Sequence, residues 1–486
     1  MKVLFYHYGN ENWFGVGYLS AALKNLGHET DLLLEPPTDM YFNIPILNMI
    51  DVKKKLLKKA VAYKPDLIAF SSTTYAFPHV RKMMAMIKSK LDVPIIIGGV
   101  HATTLPEHTL KNSSADMVCI GEGDEAIVDV VNALETGKSC DDIKNIWVKK
   151  KDGIIIKNEI RPLIEDLDKL PLPDNEIFAK YNCISSEYNI MTSRGCPFNC
   201  TYCCNNFYRQ IYKDKGTYVR RKSPENVITE LKDAKEKYKI KSVYFWDDVF
   251  ITNKKWLLEF TDMYVREIRL PFHCLSRPEN VTSETIQILK RGGCKRINIG
   301  LESGSKRVRS EILNRHMTNE RIIEAARLIK EAGIDLVFFN LFGIPGETED
   351  EMMETVNLNL KINPSGLFTF SLTPFPGLDI TKYALSQGLL SEEDYEKVKL
   401  GEIAGYQAGG DSILKNPHKE IANNFKILLP IINRSPKFLR HLLIRLAVSK
   451  HLPRKTAHII ALFFVDPSRT KVKIKDFFSA VIKVLQ

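Results

Sequence analysis

The sequence predicts an α/β protein in three parts. These are an N-terminal doubly wound parallel sheet of Rossmann-like form, a partial (β/α)6 barrel of TIM type, and a C-terminal, mostly helical domain. Three observations carry this. Short apolar runs alternate with helical stretches over residues 1–140 and again over 186–378, the pattern of parallel strands covered by helices. The stretch DLDKLPLPDNEIF has no periodicity and is rich in proline and acid, which marks 141–185 as a linker. Residues 379–486 form a basic, apolar end in which Pro436 and Pro453 break helical runs.

In the first series KVLFYHY reads as a strand, VGYLSAALKNLGH as a helix stopping at Gly27, and DLLLE as a strand. DVKKKLLKKAVAYK is a basic helix, PDLIAFSS a buried strand, PHVRKMMAMIKSKL a helix, and VPIIIGGV and ADMVCIGEGD the closing strands. Ligands of such sheets bind beyond the carboxyl ends of the strands. The tips there include Ser71, Ser72, Gly98, Gly99, Gly121 and Gly123, small residues that let a large ligand approach the backbone, together with His101. No Gly-x-Gly-x-x-Gly follows the first strand, so a dinucleotide is not the preferred ligand. His101 either touches the ligand or only hydrogen-bonds backbone.

The second series runs EYNIMTS, SVYFWDDVF, FHCLSRPEN, RINIGLESGS, IDLVFFNLFGIPGE and GLFTFSLTPFPG as strands. Helices lie between them, the first opened by Ser223 as N-cap and Pro224 at the first helical position. Six strands make a partial barrel, with chemistry expected at their carboxyl ends.

Cys196, Cys200 and Cys203 follow the first of these strands in MTSRGCPFNCTYCCNN. Three thiolates at this spacing can hold three irons of a 4Fe-4S cluster and leave the fourth open to a small molecule, whereas an electron-transfer cluster takes four cysteines. A zinc site would want two Cys-x2-Cys pairs or histidines. Nine scattered cysteines in 486 residues do not form a disulfide framework and fit a reducing, cytoplasmic compartment. Cys204 is a spare thiol or a neighbour that tunes the cluster.

The cysteine run resembles the radical S-adenosylmethionine (SAM) superfamily, in which an aromatic residue, here Tyr202, precedes the third cysteine. The run GGVHATTLPEHTL with GEGDEAI resembles the cobalamin-binding domain found ahead of many radical SAM barrels. The Asp-x-His-x-x-Gly motif that supplies a histidine ligand in other cobalamin proteins is absent. The resemblance covers about residues 1–378 and implies roles for the remaining strand tips. Asp247 and Asp248 stand where the family holds the methionyl amine, though Asp-Asp departs from the more usual Gly-Gly-Glu. Arg277 would pair with the SAM carboxylate or form a structural salt bridge. Glu302 and Ser303 would contact ribose or carboxylate, or cap the following helix. Gly343, Ile344 and Gly346 would lie under the adenine. Tyr202, Phe207, Tyr208 and Tyr212 would line a substrate pocket or pack.

The implied cofactors are a 4Fe-4S cluster, SAM and cobalamin. The implied function is generation of a 5′-deoxyadenosyl radical and modification of an unactivated carbon, foremost C-methylation of a small-molecule or lipid-like substrate. Flavodoxin or ferredoxin would supply the electron. A radical oxidative cyclase or ring-rearranging enzyme shares the same parts, and a non-enzymatic iron–sulfur or cobalamin sensor is the reading outside enzymes. A methylthiotransferase would want three further cysteines in a suitable context, and Cys119, Cys140 and Cys183 do not provide it.

The net charge of +11 resides in the tail: residues 411–486 hold 15 basic and 4 acidic side chains, leaving 54 of each sign elsewhere. The tail reads as helices near 420–433, 437–450 and 455–465, either capping the barrel or resting on a membrane surface. Sparse aromatics there argue against nucleic acid. No apolar run is long enough to predict a transmembrane helix.

Overall fold

The computed structural model describes residues 1–9, 14–37, 52–403 and 412–449. The first sheet contains β1 (Lys2–Tyr8), β2 (Glu29–Glu35), β3 (Leu67–Ser71), β4 (Ile95–Gly98), β5 (Met117–Cys119), β6 (Ile146–Lys149) and β7 (Ile155–Ile156), in the order β2-β1-β3-β4-β5-β6-β7. β1 to β5 pair in parallel, as the alternation of strands and helices predicts. The chain runs outward on both sides of β1, so a crevice opens at the carboxyl ends of β1 and β3. The strands are apolar on both faces, with Leu67, Ile68, Ile95 and Ile97 fully buried against Val80, Met83, Met84 and Ile87 of the helix Phe77–Lys88.

β6 and β7 pair antiparallel at the sheet edge. They lie inside 141–185, the stretch expected to be a linker, so that expectation is too simple. Gly153, at φ 89°, closes a tight turn that lets IWVK and its partner fold back and extend β5. The proline-rich remainder packs on the first domain, where Asp174 accepts from Ser20 (2.6 Å) and pairs with Lys24 (2.7 Å).

The second sheet contains β8 (Glu187–Ile190), β11 (Ser242–Phe245), β12 (Phe272–Ser276), β13 (Cys294–Glu302), β14 (Asp335–Phe342) and β15 (Gly366–Ser371). All pair in parallel, in the order β15-β14-β13-β12-β11-β8, a six-stranded open barrel. Between β8 and β11, β9 (Ser193–Arg194) and β10 (Arg220–Arg221) form a short antiparallel ribbon. Helices cover the convex face, where Phe245, Phe250, Phe260, Tyr264 and Phe272 build one ring cluster. Ser223 caps the first helix by accepting the N–H of Asn226, with Pro224 after it.

The tail forms the helices Lys419–Arg434 and Lys437–Val448, parted at Pro436. Phe425, Leu428, Leu429 and Ile432 bury against Phe342, Met352 and Val356. This helical pair therefore caps the β14–β15 edge of the barrel. The helix expected near 455–465 lies outside the described residues. Among the described residues no helix is long and apolar enough to cross a membrane.

Candidate functional site

The cysteine loop leaves β9 through Gly195. Its φ is 84°, and a Cβ there would come within 2.3 Å of the Tyr218 carbonyl oxygen, so only glycine fits. Cys196 and Cys200 are buried, and Cys203 sits at the N-cap of the helix Cys204–Ile211. A hydrogen bond from Cys204 lowers the Cys203 thiol to about 7 against the opposing effect of burial, helped by the backbone N–H of Asn205. Burial pushes Cys196 up to about 12, with Cys200 and Cys203 near enough to add to the rise, so metal binding at Cys196 must displace a tightly held proton. Among the described residues no three His, Cys, Asp or Glu side chains converge as around one metal ion. A four-iron cluster, with one thiolate per iron, needs its thiols further apart than a single ion does.

A second segment grips this loop from outside. Val308–Ile312 forms a π-helical turn, a departure that often marks functional sites. Thr201 donates its hydroxyl to the Ile312 carbonyl (2.6 Å) and its N–H to Leu313 (3.2 Å), while Asn314 donates to the Asn199 carbonyl (2.7 Å). Arg315 donates to the Tyr202 hydroxyl (3.0 Å) and approaches Cys200 Sγ (3.8 Å), and Tyr202 donates to Glu302 (3.0 Å). Nothing in the sequence reading singled out Arg315. Its signal is only a basic residue in a polar stretch, and its partners come from loops far away in the chain.

The expected strand-tip residues divide. Asp247 is fully buried and accepts from the Thr192 N–H (3.2 Å), the Thr192 hydroxyl (2.7 Å) and the Ser193 hydroxyl, so it braces the start of the cysteine loop. Asp248 lines the central cavity, and burial raises its pKa. Arg277 has its fork taken by Glu279 (2.7 and 3.3 Å), lies over the Phe198 ring (3.7 Å) and donates to Cys200 Sγ (3.1 Å). It stands beside the cysteine loop, and the ion pair with Glu279 is the contact its guanidinium makes here. Glu302 has φ 64° at a register shift in β13, a left-handed backbone at a non-glycine residue that the surrounding network must hold. Burial raises its pKa. Ser303 caps locally, accepting the Ser305 N–H (3.2 Å). Gly343 and Gly346 adopt φ 70° and 75°, and Glu347 accepts the N–H groups of Gly343 (3.0 Å) and Ile344 (3.2 Å). Ile344 is buried among Val308, Ile312 and Leu378.

A cavity of about 410 Å³ lies where the first sheet meets the barrel, within the range of about 300–1,000 Å³ usual for ligand sites. Ser71, Gly98, Gly99, Gly121 and Gly123 line one side, and Cys204, Asn205, Tyr208 and Asp248 the other, with a largely apolar wall. Gly99 (φ 94°) packs so closely that a Cβ would fall 2.7 Å from the Ser72 carbonyl oxygen. Ser72 is buried and turned to the Thr73 carbonyl (2.8 Å). His101 is fully buried beneath this wall, bonded to Thr74 (3.2 Å) and packed on Phe77 (4.1 Å between rings), with its pKa lowered to about 3 by burial. It does not reach the cavity.

The two sides are locked by ion pairs that sequence reasoning missed. Arg194 grips Asp124 with both nitrogens (2.9 and 3.0 Å), and Arg220 grips Glu122 likewise (2.6 and 3.1 Å). The Tyr212 hydroxyl accepts the Glu122 N–H (2.6 Å) and fills the space above Gly121. In GEGD the glycines carried the sequence signal, but the acid after each glycine, Glu122 and Asp124, makes the interdomain contact.

Comparison with known proteins agrees with this geometry. Residues 4–131 match the B12 binding domain model, and residues 190–358 match the radical SAM superfamily model. The chain is therefore a radical SAM superfamily member with a cobalamin-binding domain, and the cofactors of these two domains are a 4Fe-4S cluster, SAM and cobalamin. It is 28% identical over 390 residues to an uncharacterised methyltransferase of Pyrococcus horikoshii, covering 79% of this chain and 80% of that one. It is 24% identical over 404 residues to the anaerobic magnesium-protoporphyrin IX monomethyl ester cyclase of Rubrivivax gelatinosus, covering 78% and 69%. The fold matches the cobalamin-dependent SAM radical enzyme OxsB with aqua-cobalamin bound, at a TM-score of 0.70 and 16% identity, over 100% of this chain and 80% of that one.

The residues present fit these groups. Three thiols sit on one loop with two guanidinium groups turned to Cys200, and a glycine-lined, mostly apolar cavity adjoins them.

Proposed function

We propose that the protein methylates an unactivated carbon of a small-molecule or lipid-like substrate. The observation that carries this reading is the shared cavity, where the tips of the first sheet and the flank of the cysteine loop face one space. Cys196, Cys200 and Cys203 hold the cluster in this reading, and one iron stays open for SAM. When bound, the cluster with SAM supplies a carbon radical and cobalamin supplies the methyl group. The chain's own residues bind and position. Asp248 accepts the methionyl ammonium, Glu347 holds the Gly343–Gly346 loop under the adenine, and the glycine tips admit the corrin. The apolar wall keeps water from the radical. No acid–base pair is required for the central step.

A flavodoxin- or ferredoxin-like carrier in the cytoplasm would supply electrons. On the last described helix Phe438 (81% exposed) and Leu442 (54%) stand in the open among Lys437, His441 and Arg445, a face suited to an anionic lipid surface. Flotation with anionic liposomes, reduced in Phe438→Ser/Leu442→Ser, is expected; equal flotation of both proteins removes this contact.

The deciding experiment is anaerobic turnover of a lipid or metabolite extract with methyl-labelled SAM. Label on a product carbon, with 5′-deoxyadenosine and S-adenosylhomocysteine formed together, is expected. 5′-Deoxyadenosine without S-adenosylhomocysteine or label transfer would instead support a cyclase, the activity named for the Rubrivivax relative.

A further inference from the structure

The concave face of the six-stranded sheet carries side chains that none of the chemistry above uses. Residues facing the helices are buried, as Val243, Phe245 and Phe272 are. The alternate residues face the inside of the open barrel. On one side Tyr244 and Trp246 lie 4.5 Å apart, centroid to centroid. On the other Phe339 lies 5.5 Å from Phe368 and 6.3 Å from Phe370. Trp246, Phe368 and Phe370 are 41%, 45% and 41% exposed, a concentration of open aromatic surface that a sheet interior does not need for folding. Between the two groups, on β13, stands Asn298. It is 5% exposed, its amide donates to the Tyr244 hydroxyl (2.5 Å), and its Oδ1 has no partner. A buried acceptor without a donor is costly and calls for a ligand.

We infer that this inner face binds a flat, apolar, ring-bearing molecule through ring contacts on both sides and one N–H or O–H donated to Asn298 Oδ1. The face is continuous with the strand tips. Trp246 directly precedes Asp247, while Asn298 and Phe339 stand four residues before Glu302 and Gly343, about 13 Å along the strands. A molecule seated on Asn298 must therefore be elongated or broad to present a carbon at the tips. Identifying this ligand as the substrate rests on the proposed function, whereas its binding does not.

The test uses N-phenyl-1-naphthylamine, a neutral probe with two ring systems joined by one N–H, whose fluorescence rises in apolar surroundings. With the full-length holoprotein, saturable one-to-one binding is expected, with energy transfer from tryptophan that falls in Trp246→Phe. Asn298→Leu and the exposed-face double variant Phe368→Ser/Phe370→Ser should each weaken binding at least fivefold. Leu258→Ser, an exposed change on a covering helix, should leave it unchanged. Reductive SAM cleavage without substrate should persist in every variant, which separates loss of this site from loss of the fold. Absence of saturable binding, or binding indifferent to both variants, overturns the inference. Failure of SAM cleavage in the unaltered protein would count against the proposed function alone.

Discussion

Replacing Glu347 with glutamine should remove a pH-dependent part of this protein's stability between about pH 4.5 and 8. Glu347 is 3% exposed. Burial pushes its carboxyl up to about 8, against the opposing N–H groups of Ile344 and Gly343. Oε1 has no partner to share the charge. A carboxyl with a raised folded pKa contributes fully while protonated, below its unfolded pKa, and loses that contribution as pH climbs through the folded value. The gap between the ordinary 4.5 and about 8 corresponds to about 2–5 kcal/mol, the lower figure allowing for relaxation around the ionised group. Glutamine keeps a carbonyl oxygen for the two N–H groups and cannot ionise. Denaturant unfolding of both proteins at pH 5.5, 6.5, 7.5 and 8.5 measures the difference. The stability of the native protein should fall relative to Glu347→Gln across this series. Glu347→Ala, which deletes the acceptor, should weaken SAM binding about tenfold at pH 7, from two lost hydrogen bonds at ~0.5–1.5 kcal/mol each, while Glu347→Gln stays within twofold. Parallel pH curves for the native protein and Glu347→Gln would refute the reasoning.

Cys196→Ala, Cys200→Ala and Cys203→Ala should each lose cluster iron and SAM cleavage, with Cys204→Ala keeping both; iron assay and product analysis decide. Arg277→Gln removes the 3.1 Å donor to Cys200 Sγ and should lower the cluster potential by on the order of 50 mV, read by EPR-monitored titration. Arg194→Met leaves Asp124 buried and unpaired and should cost about 3–5 kcal/mol, with Arg194→Met/Asp124→Leu recovering most of it in denaturant unfolding. Asp124, which burial pushes up but the Arg194 guanidinium holds below the usual range, adds stability that should fade as pH drops below about 4 only where Arg194 is present.

The parallel strands and the cysteine loop were legible because each is written locally. A parallel strand buried on both faces is an apolar run, and a cluster loop is a spacing. The division between Asp247 and Asp248 was not legible. Neighbouring residues on a strand end point to opposite sides, and only the fold shows that Thr192 and Ser193 wait on one of them. For Arg277 the sequence left a ligand carboxylate and a structural salt bridge both open, and only the fold shows Glu279, two residues on, at its fork. His101 was left open between a ligand contact and a loop histidine, and only the fold shows that the helix Val100–Thr104 turns it onto Phe77 and Thr74. The Arg194–Asp124 and Arg220–Glu122 pairs join residues 70 and 98 apart in sequence, and composition carries no trace of such pairings.

β9 is only two residues long, and both kinds of connection between the cofactor seats meet there. Arg194 leads through Gly195 into Cys196, the first of the proposed cluster thiolates, and by its side chain into the loop of the cobalamin domain. In the proposed reading, this grip holds the cysteine loop against the cobalamin domain like one jaw of a caliper. Under that reading, a change of substrate comes from reshaping what lines the gap between the two domains.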